Sequence, residues 1–170
     1  MPETNAASTR RLITSPRAFT FDGMPLLHDP AVRDACRARI QRLSEQSPRQ
    51  WGKMTVDQML WHCNESLENS LGKAIPGAMR FPMPMAIIKF FVFNLPWMKG
   101  APTHPGFVAG DRRSFETERA RMLRLFDEFT SRPLDSPSWG ESPAFGRMTG
   151  REWSRLQAKH LDHHLRQFGV

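Results

Sequence analysis

Residues 149–169 constrain this chain more than any other stretch. Thr149 followed by Glu152 has the form of a capping box, a strong helix start. Gly169 supplies a stop. Between them, at about 100° per residue, Trp153, Leu156, Gln157, His160, His164, Gln167 and Phe168 share one broad face. Arg151, Lys159, Asp162 and Arg166 lie away from its centre, and His163 falls at its edge. A helix of this kind must bury that face against other elements. In doing so it buries two imidazoles placed one turn apart.

Burying an imidazole costs free energy unless it finds a partner. A single inward histidine is most simply a neutral hydrogen-bonding core residue. Two at a spacing of four, both inward, can instead converge on one divalent metal ion. Zinc-protease helices use the same spacing but place a Glu directly after the first His. Here that position is Leu161, so the ligand pair is present and the general base of that motif is absent.

The remaining sequence supplies partners for this helix. Asp29-Pro30 has the form of a helix start, and Val32, Cys36, Ile40 and Leu43 repeat at helical spacing to about Gln46. Thr55 with Gln58 makes a second capping box, and helix two runs to about Leu71, ending at Gly72. Its apolar arc is Val56, Met59, Leu60, Cys63 and Leu67, with His62, Ser66, Asn69 and Ser70 along one edge. That edge suits a polar pocket lining or a water-facing boundary. Periodicity alone does not choose His62 over His28 or His104 as a third ligand.

Residues 73–110 form a long Pro-bearing connection, with a short apolar helix expected over Met85–Asn94. That segment is too short to span a membrane, and Lys89 interrupts it. It suits a core flap, a wall over a ligand cavity or a subunit contact. Asp111 is expected to open helix three, running to about Ser131, where alternating arginines and carboxylates indicate a salt-bridged surface. Residues 132–148 form a linker, and no segment shows convincing two-residue alternation. The pattern is all-α, a four-helix bundle over residues 29–170 preceded by an irregular arm at 1–28. The short connection between helices one and two makes them antiparallel. The long connection lets helices two and three run parallel.

Composition narrows the function. Two cysteines, Cys36 and Cys63, do not make a disulfide scaffold, and no basic-then-apolar leader opens the sequence, so a cytoplasmic protein is expected. The formal charge is +7, yet the 24 Lys and Arg are scattered and no nucleic-acid module is visible. The expectation is no nucleic-acid partner, no membrane and a small-molecule ligand.

Two stretches carry a resemblance. One is Trp51-Gly-Lys-Met-Thr-Val-Asp-Gln-Met-Leu-Trp-His-Cys-Asn-Glu-Ser66. The other is Ser142-Pro-Ala-Phe-Gly-Arg-Met-Thr-Gly-Arg-Glu-Trp153, continuing into Lys159-His-Leu-Asp-His-His-Leu-Arg-Gln-Phe-Gly169. Together they resemble the DinB/YfiT-like superfamily of metal-dependent enzymes, and within it a family whose last helix ends in a similar H-x-x-H-H-x-x-Q-F-G pattern. The resemblance implies an up-down-down-up bundle and a divalent metal held by three histidines, which map onto His62, His160 and His164. Relatives often carry a His where this chain has Ser142. The family includes thiol S-transferases and a mycothiol-dependent isomerase, and dimers are common in it, so a homodimer is compatible.

Three neutral imidazoles leave positions open for water or substrate. Zinc or nickel fits best, and iron also suits nitrogen ligands. The expected chemistry is activation of a low-molecular-weight thiol or a water against an electrophilic small molecule, as a transferase or hydrolase. Glu65 and His163 are candidates for proton transfer, although Glu65 points away from the apolar arc. Ser66, Asn69 and Gln167 are candidate pocket-lining residues. A bundle that binds a metal or small ligand without turnover is the alternative.

Overall fold

A computed structural model describes residues 25–74, 77, 83–100 and 105–170. Its helices are α1 (Pro30–Arg42), α2 (Val56–Ser70), α3 (Met85–Asn94), α4 (Phe115–Ser131) and α5 (Gly150–Gln167). A 3-10 turn occupies Pro105–Phe107, and a two-stranded hairpin pairs β1 (Glu141–Ser142) with β2 (Gly146–Arg147). The expected helices one to four are α1, α2, α4 and α5. The expected short helix is α3, with the bounds read from the sequence. The hairpin falls inside the expected linker and is too short to show two-residue alternation. Residues 1–24 of the expected arm at 1–28, and residues 75–76, 78–82 and 101–104 within the long connection, lie outside the described residues.

The helix directions follow from side-chain pairs. From α2 to α4, Asn64 reaches Glu118, and Glu65 and Glu68 reach Arg121. Toward the ends of the pair, Asp57 of α2 meets Arg113 just ahead of α4, and Lys73 just past α2 meets Glu128 of α4. Numbers rise together, so α2 and α4 are parallel. From α2 to α5, Gln157 reaches Ser66 while His160 reaches His62, so these two are antiparallel. Arg37 pairs with Asp127, and Arg119 reaches the carbonyl of Leu43 just past α1, which sets α1 antiparallel to α4. Leu27 and Arg39 meet Ser154 and Asp162 in turn, so α1 runs with α5. The order is up-down-down-up, as the resemblance implied.

Two helix ends differ from the sequence reading. Helix one stops at Arg42 because Ser44 and Ser47 form a closed turn, with the Ser44 N–H donating to Ser47 Oγ and the Ser47 N–H to the Ser44 carbonyl. Helix three starts at Phe115, capped by Ser114, not at Asp111. Buried Asp57 accepts from the Arg113 backbone N–H at 2.7 Å and from Arg112 Nε at 3.2 Å, which anchors the chain just ahead of that helix. Both capping boxes are present. At Thr149 the box is complete, with Thr149 N–H donating to Glu152 Oε2 at 2.8 Å and Glu152 N–H donating to Thr149 Oγ1 at 3.2 Å.

The core is one cluster built from all four long helices. Leu27, Ile40, Leu43, Leu60, Leu67, Met122, Phe126, Phe129, Trp153 and Phe168 are fully shielded or nearly so. Cys36 and Cys63 are buried free thiols within it, in keeping with the core role their apolar stripes suggest. Burial pushes the Cys36 thiol up to about 12. Gly140 lets the linker cross α2, since a Cβ there would stand 1.9 Å from the Asn69 carbonyl oxygen.

Helix α3 differs from the others. It has no buried residue, and the exposed large hydrophobics among the described residues all lie between Met83 and Val108. One side of it is fastened to the bundle. Phe93 packs near Phe145, Lys89 pairs with Glu152, and Lys159 Nζ donates to the carbonyls of Val92 and Leu95 at 2.6 and 2.5 Å.

Phe126→Ala, at a site with 0% exposure, is expected to cost about 3–5 kcal/mol of stability. Phe90→Ala, at 58% exposure, should stay within about 0.5 kcal/mol. Urea midpoints of the two variants beside wild type check the contrast.

Candidate metal centre

Helices α2 and α5 bring His62, His160 and His164 together. One ring nitrogen from each lies within 4.8 Å of the others, and all three residues are buried. The ring centroids are 4.8–4.9 Å apart pairwise, so the cluster is close to equilateral. It stands on adjoining turns of α5 because of the spacing of four, and α2 runs antiparallel alongside to supply His62.

The outer nitrogens are fixed. His62 Nδ1 lies 2.8 Å from the Phe107 carbonyl oxygen, and that oxygen can only accept. His62 therefore carries its proton on Nδ1 and turns the lone pair of Nε2 inward. His164 Nδ1 lies 2.8 Å from Gln167 Oε1. The Gln167 amide is itself oriented, because its Nε2 donates to the Trp51 carbonyl at 2.9 Å. His164 thus also presents an unprotonated Nε2. Gly52, at φ +81°, keeps this clamp open, since a Cβ there would stand 2.6 Å from Gln167 Nε2.

His62 Nε2 faces His160 Nε2 at 2.8 Å. With a lone pair on the first, this approach requires either a proton on the second or a cation between them. Nitrogens bound tetrahedrally to zinc at 2.0–2.1 Å sit ~3.3 Å apart. The pair needs to open by only a few tenths of an ångström to hold an ion. The donor set fits a divalent metal: three imidazoles, two with fixed tautomers, in the pattern typical of metal-binding histidines.

Burial keeps these rings neutral. It holds His62 below the usual histidine value, against the opposing pull of the Phe107 carbonyl. It drives His160 well below, helped by repulsion from His164 and His62. It brings His164 to about 3, with His62 adding to the effect and Gln167 opposing it. Neutral imidazole is the form that ligates a metal.

The other expected residues fall in different places. His163 is half-buried beside the cluster, its ring 5.1 Å from that of His164 and flanked by Trp51 and Trp97 at 5.6 and 5.9 Å. Burial lowers its pKa too. Gln167 touches the triad directly. Ser66 lies one turn along α2 from His62, where its Oγ and carbonyl accept from Gln157 Nε2. Glu65 is held by Arg121 at 2.8 Å, and Asn69 Nδ2 donates to the carbonyls of Ala74 and Glu141, so neither touches the triad. Ser142, in β1, accepts from the N–H groups of Ala144 and Phe145 inside the hairpin. His28 sits elsewhere, bonded to Ser154 and the Arg132 carbonyl. His104 lies outside the described residues.

Three contributors escaped the sequence reading. The Phe107 carbonyl is backbone and has no side-chain signature. Trp97 follows α3 in the Pro-bearing connection, with its ring 5.7 Å from His160 and its Nε1 donating to the Val92 carbonyl at 2.9 Å. Gln157 shares the inward face of the helix with nothing in the pattern to assign it a role, and it braces α5 against α2.

An up-down-down-up bundle with a buried three-histidine cluster between its second and last helices defines a class of helical protein with a ready-made metal-ligand set. The family model of the DinB superfamily matches residues 30–168, and the chain belongs to that superfamily. Comparison with curated proteins and with solved structures finds no match. Among the described residues, no helix is long and apolar enough to cross a membrane.

A pH dependence follows from the depressed imidazoles. The folded state resists protons that the unfolded chain accepts near pH 6.5, so stability rises with pH across that window. Metal-free protein should therefore lose stability from about pH 6.5 downward, and His164 should go on contributing until about pH 3. Each buried histidine contributes up to ~1.4 kcal/mol per pH unit. Urea unfolding of chelator-treated protein at pH 7 and pH 5 measures this, and an unchanged midpoint would contradict it.

Proposed function

We propose that this chain is a divalent-metal-dependent enzyme that activates a low-molecular-weight thiol or a water for attack on an electrophilic small molecule. The observation that carries the reading is the convergence of three neutral imidazoles, two of them with their outer nitrogens tied to acceptors. His62, His160 and His164 are the proposed ligands. Zinc or nickel suits the all-nitrogen set best, and iron is compatible. A bound divalent ion supplies Lewis acidity, lowering the pKa of a thiol or water at its open positions.

The chain's own residues do the rest. The Phe107 carbonyl and Gln167 hold the ligand rings in orientation. Trp97 covers His160 and limits water on that side. His163, half-buried and adjacent to the cluster, is the proposed carrier of a proton between the reacting group and solvent. The reaction is a thiol transfer or a hydrolysis, and the substrate is small because the histidines are shielded.

One observation favours a second reading. Glu65 is occupied by Arg121, and among the described residues the metal-ligand cluster includes no carboxylate. A binding module without turnover would look the same. Turnover of a thiol with an electrophilic acceptor separates the two. The enzyme reading expects activity that falls at least tenfold on chelation, returns with zinc or nickel, and is lost in His164→Ala. Metal uptake with no turnover across thiol and hydrolysis substrates would favour the binding module.

A further inference from the structure

Trp51, Trp97, His163 and Lys99 form one neighbourhood beside the three histidines. His163 stands between the rings of Trp51 and Trp97. Lys99 Nζ lies 4.8 Å from the Trp51 ring centroid. Lys99 is exposed and has no carboxylate partner among the described residues. The Trp51 indole N–H is shut off from solvent and has no acceptor.

Three other charges in this region are committed. Lys159 spends its ammonium on the Val92 and Leu95 carbonyls, and Lys89 is paired with Glu152. Asp162, the acid next to His163 on α5, is paired with Arg39 and Arg166. Residues 74–110, the connection that supplies Trp97, Lys99 and Phe107 to this region, contain no Asp or Glu. An exposed cation beside an indole, with no carboxylate paired to it, makes a setting that favours an anion.

We propose that the small molecule served by this site carries an anionic head group, a carboxylate or a phosphate, which docks at Lys99 beside Trp51 while its reactive end extends to the histidines. The proposal rests on the metal-dependent reading for the fate of the reactive end, but the head-group preference does not need the metal. No bond is made or broken at Lys99. It is a specificity-determining residue.

The test uses three thiols that differ only in head group: 6-mercaptohexanoate, 6-mercaptohexanol and 6-aminohexanethiol. The indole N–H resonance of Trp51, assigned with Trp51→Phe, reports docking in the metal-free full chain. Binding should be ~fivefold to tenfold tighter for the carboxylate than for the ammonium, the scale of one exposed ion pair counted as attraction and again as repulsion. The neutral probe should fall between. Lys99→Met, a change at an exposed position that leaves the fold intact, should collapse the three affinities to one value. Equal affinities in wild type, an order that survives Lys99→Met, or no response of the indole to any probe would each overturn the proposal. A cobalt-loaded sample run alongside reports on the metal reading separately, through its thiolate absorption band. An anion-selective indole response without that band leaves the docking site and removes the metal chemistry. The band without charge preference does the reverse.

Discussion

Three imidazoles buried in one place cannot all be charged, and they cannot all be left unpaired. That constraint fixes much of what surrounds them. Charging any one is opposed by desolvation and by its neighbours, so the rings stay neutral. A neutral ring has one donor and one acceptor, and each needs a counterpart in the low-dielectric interior. Phe107 and Gln167 satisfy two of the outer donors, which leaves the inner lone pairs facing each other. Facing lone pairs repel unless a proton or a cation lies between them. The arrangement is therefore an unfavourable core and a favourable ligand set at once.

The bundle order serves this constraint. Parallel α2 and α4 are held in register by Asn64 with Glu118 and by Arg121 with Glu65 and Glu68, which fixes the rotation of α2. The connection made necessary by two parallel helices must travel back along the bundle. On its way it delivers Trp97 against His160 and the Phe107 carbonyl against His62. The same connection that permits the topology thus closes the site. Lys159, one residue before His160, anchors it by donating to two carbonyls near the end of α3. Burial brings that ammonium down to about 8.

The parts of this architecture set by local chemistry were legible in the sequence. Thr149 with Glu152 and Thr55 with Gln58 announce their helices because a capping box lies within four residues. His160 and His164 declare a shared inward face through spacing alone. His62 did not, because it sits at the edge of its apolar arc, where a ligand and a boundary residue look alike; the motif resemblance supplied it. Long-range pairing was hidden. Asp57 holds the chain ahead of α4 by capturing the Arg113 N–H, and Glu65 is removed from the site by an arginine on another helix. The Phe107 contact is hidden for a stronger reason, since a backbone carbonyl looks the same at every residue.

A divalent ion held by His62, His160 and His164 would appear as metal bound to the protein. Elemental analysis of protein purified without a histidine tag, wild type beside His160→Ala, tests it most directly. Close to one zinc, nickel or iron per chain is expected in wild type and its loss in the variant, with a neutral-pH fold retained in both. Wild-type protein that takes up no metal after incubation with each of the three ions would contradict it, and the histidines would then be hydrogen-bonded core residues.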